Sequence, residues 1–326
     1  MDYNDIFKLI AGDLKEVENV IEENIQSEVP LVYEISKYLL GSGGKRLRPS
    51  VLLLASGSCG LLKGKERIKA AAALELIHTA TLLHDDVVDD AEVRRGKTSS
   101  NLEFGNKPTV LVGDFMLAKA LGLMQECGNL ELIKAVTDAS AKLAEGQVLE
   151  VMSGKNMVEI TEEICFAIME FKTASLIESC GKIGGILAGS ENGNVKALSD
   201  YGLHIGLAFQ LIDDALDYSS TEEVFGKQVG QDILEGKMTL PLFYSIEKAS
   251  DNEKEEIKII LDKEELKETE VDHLRGIVKK YNGVETTKDV ARKYISSAKN
   301  SINKIPSNQY KDSLSSLADF VVDRIN

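Results

Sequence analysis

Two short runs of aspartate hold the clearest chemistry in this chain. The first reads His84-Asp85-Asp86-Val87-Val88-Asp89-Asp90, the second Asp213-Asp214-Ala215-Leu216-Asp217. In each, the outer aspartates are four residues apart, so on an α-helix they share a face. Like charges at that spacing repel, and burying unpaired carboxylates would cost far more. The arrangement calls for a cation. Hard carboxylate oxygens favour Mg2+ or a similar ion, which makes Asp85, Asp86, Asp89, Asp213, Asp214 and Asp217 the candidate metal ligands. Two such clusters could face each other across a cavity.

Basic residues accompany the acids. Glu92-Val93-Arg94-Arg95-Gly96 follows the first run, and Gly41-Ser42-Gly43-Gly44-Lys45-Arg46-Leu47-Arg48-Pro49 lies upstream. Arginine forks and exposed backbone amides suit phosphate oxygens. The glycine spacing is not that of a Walker A loop, and no Ser or Thr follows the lysine. With Lys172, Thr173, Lys227 and Lys237 added, acids and bases together point to an anionic ligand held through bridging Mg2+ and by direct ion pairs. Two separate basic groups suggest two phosphorylated substrates. Glu75-Leu76-Ile77-His78 and Glu270-Val271-Asp272-His273 also fit the Glu-x-x-His pattern of di-iron bundles. That reading loses ground because the second copy lies in a densely charged stretch and no inward pair of lone glutamates stands out.

The elements that must position these residues are helical. Ile6, Leu9, Ile10, Leu14, Val17 and Ile21 form one stripe. Further helices are predicted over 30–40, 48–60, 67–90, 107–125, 129–153, 160–190, 195–218, 238–248, 252–262, 268–281, 285–304 and 308–325. No strand alternation persists. The apolar residues preceding each aspartate run place both runs at the ends of buried helices, and residues 251–272 read as a solvated helical hairpin. Gly181, Gly185 and Gly189 recur every fourth residue, as close helix packing would require.

With 326 residues and no Pro/Gly/Ser-rich linker, the chain reads as a single domain over 1–326. A net charge of -15 argues against nucleic acid or an anionic membrane as partner. Cys59, Cys127, Cys165 and Cys180 lack metal spacing and read as free thiols of a reducing cytoplasm. No run approaches the roughly 18 apolar residues of a membrane span.

Taken in order, Gly43-Gly44-Lys45-Arg46-Leu47-Arg48-Pro49, His84-Asp85-Asp86-Val87-Val88-Asp89 with Arg94-Arg95-Gly96, Phe209-Gln210-Leu211-Ile212-Asp213-Asp214-Ala215-Leu216-Asp217 and Gly236-Lys237-Met238-Thr239-Leu240-Pro241-Leu242 resemble the trans-polyprenyl diphosphate synthases. The resemblance implies an all-α bundle around a deep central cavity, usually a homodimer. It also implies head-to-tail condensation of isopentenyl diphosphate with an allylic diphosphate such as farnesyl or geranyl diphosphate, using up to three Mg2+ ions. Carried over by position, Asp85, Asp89 and Asp213 would hold the metals, with Asp86, Asp214 and Asp217 in support. Arg94, Lys172, Thr173, Gln210, Lys227 and Lys237 would bind the allylic diphosphate, and Lys45, Arg48, His78 and Arg95 the isopentenyl diphosphate. Asp85, Asp89, Asp213, Lys172 and Lys227 are the implied catalytic set. Ala80, Thr81 and Ile77 on the helix before the first run would set product length. Short-chain members of the family tend to carry aromatics at the first two positions, so small residues there imply a long product, about C30–C50 and octaprenyl in preference, at roughly 5.4 Å of depth per helical turn. Leu121 or Met124 on the next helix is the candidate floor. Shorter-chain synthase, non-catalytic subunit and terpene cyclase are the rival readings. The second and third are weakened because both aspartate runs and the Gly-Gly-Lys-Arg turn are present. Two features depart from the expected pattern. Gln147 and Glu150 are exchanged relative to the usual long-chain arrangement, and Asp90 extends the first run.

Overall fold

Among the described residues helix after helix follows from the apolar periodicity, with one two-stranded ribbon between them. A computed structural model of the chain describes residues 3–41, 46–94, 96–154, 157–219, 230–263 and 266–323. The helices are α1 (Tyr3–Asn24), α2 (Pro30–Leu40), α3 (Leu47–Ser58), α4 (Lys65–Val88), α5 (Ser100–Phe104), α6 (Asn106–Glu126), α7 (Leu130–Gly154), α8 (Glu162–Met169), α9 (Ser175–Leu187) and α10 (Asn192–Ser219). They continue as α11 (Gln231–Leu234), α12 (Leu240–Lys248), α13 (Asp251–Leu261), α14 (Glu268–Lys280), α15 (Gly283–Ser301) and α16 (Gln309–Asp323). The ribbon pairs β1 (Val93–Arg94) antiparallel with β2 (Lys97–Thr98). The all-α expectation holds.

Two compact units emerge. One comprises Met1–Ala141, Leu176–Leu203 and Ala298–Ala318, the other Lys142–Ser175, His204–Ser297 and Asp319–Asn326. In the first unit α4 is the central element. Four consecutive alanines, Ala70 to Ala73, give it strong helix propensity and are wholly buried, as are Leu74 and Leu76. Arg67, 1% exposed, is tolerated there because it pairs with Asp13 of α1 and donates to the Leu61 carbonyl. A methyl on Gly181 would meet the Leu198 carbonyl oxygen at 2.0 Å, and one on Gly185 the Val195 Cα at 3.1 Å, so both glycines are packing contacts. Gly189 departs from that expectation: its φ of +62° places it in the left-handed region just beyond the end of α9, where glycine is favoured.

In the second unit α8 runs into a π-helical turn, Glu170–Ala174, before α9 begins. Two glycines make room for this turn. A methyl on Gly146 of α7 would lie 2.7 Å from the Lys172 backbone nitrogen, and one on Gly206 of α10 would lie 2.5 Å from Ala174 Cα. The charged stretch from 251 forms α13 and the start of α14. A capping box at Ser250 and Glu253 opens α13, which buries Ile257 and Leu261 and leaves most of its other side chains at the surface.

Candidate active site

The first aspartate run ends α4. Asp85 is half-buried and Asp86 wholly buried, while Asp89 caps the helix and Asp90 is exposed beyond it. The carboxylate of Asp86 is engaged on both oxygens. Arg94 Nε of β1 donates to Oδ1 at 2.6 Å, and the Ser100 backbone N–H approaches Oδ2 at 3.4 Å. Asp86 thus ties the ribbon to the end of α4, and two residues expected in the same site are brought into direct contact. Asp90 adopts a φ of +46°, and the Ala91 N–H donates to the Asp86 carbonyl at 3.0 Å. This is a Schellman-type closure, in which Asp is among the few non-glycine residues that accept the left-handed conformation. Asp90 shapes the turn that fixes Asp85 and Asp89.

One turn or more earlier on α4, Ile77 and Ala80 are buried and His78 and Thr81 half-buried. The principal neighbour of α4 is α6, on which Met124 is buried and Leu121 half-buried. Arg48 is half-buried on α3, while its neighbour Arg46 holds Glu75 of α4 at 2.8 Å. Lys45, Arg95 and Lys227 lie outside the described residues.

The second run lies in the second unit beside a cavity of about 140 Å³. Lys172, Thr173, Gln210, Asp214 and Lys237 all line it, joined by Glu150 and Asp232. A chain of hydrogen bonds crosses its wall: Thr173 Oγ1 donates to Gln210 Oε1 at 2.8 Å, and Gln210 Nε2 donates to Asp214 Oδ1 at 2.8 Å. The π turn explains why Lys172 and Thr173 reach the cavity, since such turns widen a helix locally and recur at functional sites. Burial pushes the Asp214 carboxyl up to about 7 against the Gln210 hydrogen bond, and the charges of Asp213, Asp217 and Glu150 raise it further. The Cys165 thiol, also lining the cavity and donating to the Met238 carbonyl, is pushed up to about 12, chiefly by burial.

Asp232 was not among the sequence candidates. Its carboxyl is held well above the ordinary range by burial and by Asp217 and Asp214, with Lys237 opposing the shift. The Asp232 N–H approaches Asp217 Oδ2 at 3.3 Å. The available signal was its place five residues before Lys237, in Gly230-Gln231-Asp232-Ile233-Leu234-Glu235-Gly236-Lys237.

The donor set fits a hard divalent cation. Burial first, with the Asp217 charge added, raises the proton affinity of both Asp214 and Asp232, and Asp214 adds to the effect on Asp232. Among the described residues no three ligating side chains already converge on one point. Mg2+ does not require that, since it is usually held by one or two carboxylates plus waters and substrate phosphates.

Residues 29–278 match the family described as Polyprenyl synthetase. The chain is 44% identical over 246 residues to the octaprenyl diphosphate synthase of Escherichia coli, covering 76% of each chain. It is 37% identical to the octaprenyl diphosphate synthase of Haemophilus influenzae over 324 residues, covering 99% of this chain and 98% of that one. Its fold superimposes on the crystal structure of a polyprenyl synthase from Caulobacter crescentus complexed with calcium and isoprenyl diphosphate. The TM-score is 0.95 at 37% identity, with 99% and 98% of the two chains covered.

Proposed function

The chain belongs to the polyprenyl synthetase family, and from that premise we propose that it extends an allylic diphosphate, farnesyl or geranyl, with isopentenyl diphosphate to a long trans-polyprenyl diphosphate, about C30–C50 with octaprenyl favoured. The observation that carries the reading is the lining of the cavity. Two ammonium groups, Lys172 and Lys237, stand with Glu150 and with two acids, Asp214 and Asp232, whose affinity for a proton burial raises. The ammonium groups suit phosphate oxygens, and acids that hold a proton for want of a cation suit the divalent ions that arrive with a diphosphate.

In this reading Asp85, Asp89 and Asp213 hold Mg2+, as many as three ions, with Asp214 and Asp217 in support. Asp86 supports them by fixing Arg94. When bound, Mg2+ neutralises the charge that develops on the departing pyrophosphate. Lys172, Thr173, Gln210 and Lys237, with Arg94 and Lys227, orient the allylic diphosphate, whose C–O bond breaks with its electron pair leaving on pyrophosphate. Lys45, Arg48, His78 and Arg95 hold the isopentenyl diphosphate so that its double bond attacks the allylic carbon. A proton then passes from the new adduct to pyrophosphate, which restores a double bond. The apolar lining of α4, with Ala80 and Thr81 small below the first aspartate run, keeps water from the cation and leaves room for a growing chain.

The family match spans sequence from both compact units, which supports one synthase domain over 1–326. Val148, Val151 and Met152 form an exposed apolar stripe on α7, suited to a second copy in a homodimer. No helix among the described residues is long and apolar enough to cross a membrane, and we place the enzyme in the cytoplasm. Incubation with farnesyl diphosphate, isopentenyl diphosphate and Mg2+, followed by chain-length chromatography, tests the reading. Octaprenyl product is expected. A product ending at C15–C20 would establish the shorter-chain alternative, and absence of any elongated product would overturn the enzyme assignment in favour of a non-catalytic subunit.

A further inference from the structure

We propose that Glu150 is a positioning residue for Lys172 and Lys237, holding both ammonium groups where the allylic diphosphate must meet them. Both lysines bind that diphosphate in the reading above, on which this proposal rests. Helix α7 holds Lys172 at both ends. At Gly146 the helix comes so close to the π turn that an added methyl would lie 2.7 Å from the Lys172 nitrogen and 2.8 Å from Phe171 Cβ, which fixes the backbone. One turn further along the same face, Glu150 Oε2 takes the ion pair from Lys172 Nζ. The same oxygen stands 3.9 Å from Lys237 Nζ, which also pairs with Glu235 at 2.7 Å.

Glu150 and the two lysines are each about one-fifth exposed or less, so the interactions are poorly screened by water. A lysine side chain has four rotatable bonds and a point charge, and is directed only by what it pairs with. A carboxylate between two such groups narrows their range while each ammonium keeps donors for a ligand. This gives the exchanged Gln147/Glu150 pair a purpose: the charge stands where it can address both lysines.

The test is a double-mutant cycle in the full-length enzyme, read as separate KM and kcat values for farnesyl and isopentenyl diphosphates. Calorimetric binding of inorganic pyrophosphate with Mg2+ is measured alongside. Glu150→Gln should raise the KM for farnesyl diphosphate and weaken pyrophosphate binding about tenfold. The KM for isopentenyl diphosphate and the melting temperature should not move, and Glu150→Asp should recover much of the loss. In a Lys172→Ala background the further effect of Glu150→Gln should shrink to about threefold or less, because the carboxylate acts through that lysine. Independent, multiplying effects would overturn the proposal, as would a lower KM in Glu150→Gln, which would make the carboxylate a competitor of the diphosphate. A Lys172→Ala enzyme with normal affinity for farnesyl diphosphate would instead remove the underlying reading of the site.

Discussion

Gly206 offers a direct way to perturb the cavity wall without touching a functional group. A methyl there would lie 2.5 Å from Ala174 Cα and 2.7 Å from Ala174 Cβ. Non-bonded carbons rest about 3.5–4.0 Å apart, so Gly206→Ala must open the spacing between α10 and the π turn by about 1 Å. Overpacking of this kind costs about 1–3 kcal/mol, and the helix propensity of alanine over glycine returns about 1 kcal/mol. The net loss is about 0–2 kcal/mol, a fall of a few degrees at most in melting temperature. Function should suffer much more. Gln210 and Asp214 follow Gly206 at one and two turns, and the Thr173–Gln210–Asp214 chain spans the gap being opened. A displacement of about 1 Å in such a site can cost about 100-fold, and a loss of that order in kcat/KM is expected. Steady-state prenyltransfer and thermal melting of the same sample provide the two readings. Gly276→Ala is the control: nothing lies within 4 Å of an added methyl, so it should stabilise by about 1 kcal/mol and leave activity intact. A Gly206→Ala enzyme within about threefold of the parent would refute the claim that this contact sets the site's geometry.

Asp85 and Asp86 are neighbours with opposite expected behaviour. Asp86→Asn leaves Arg94 without its charged partner and should lower stability by about 1–3 kcal/mol in denaturant unfolding, whereas Asp85→Asn should leave the unfolding curve in place and lower turnover by orders of magnitude. Replacing Thr81 or Ala80 by Phe should shorten the product, and unchanged chain length by chromatography would sink the tunnel assignment. At the surface, Glu253 accepts hydrogen bonds from Lys280, Tyr281 and Ser250, which together hold its carboxyl below the ordinary value of 4.5, Lys280 foremost. A depressed folded-state pKa stabilises at pH above the unfolded value and loses that contribution as pH falls through the folded one. The difference in melting temperature between parent and Glu253→Gln should accordingly be steady at neutral pH and shrink below about pH 4.5; a gap that widened in acid would reverse the sign.

Periodicity placed most helices within a few residues of their observed ends, because α4 and α10 bury nearly all faces and the outer helices show clear stripes. The π turn at Glu170–Ala174 was not legible, since a single extra residue per turn leaves the apolar pattern of 160–190 almost unchanged. The β1–β2 ribbon escaped notice because two-residue strands are too short to alternate. Both aspartate runs stood out by spacing alone. What spacing did not give was the division of labour within them: Asp86 is bound by Arg94, Asp90 closes a helix, and Asp232 enters from another segment. The first two roles depend on the turn geometry just after α4 and the third on where a later segment returns, neither of which residue spacing encodes.

Cys165 has a use unconnected with catalysis. Its thiol lines the cavity, and burial disfavours the reactive thiolate at neutral pH. Cys180 is buried too, while Cys59 and Cys127 are half-exposed and will react first with an alkylating reagent. Once those two are blocked, slow modification of Cys165 reports on access to the cavity. In the proposed reading a diphosphate in the cavity should slow that modification, so that occupancy is followed in the parent sequence with no turnover required.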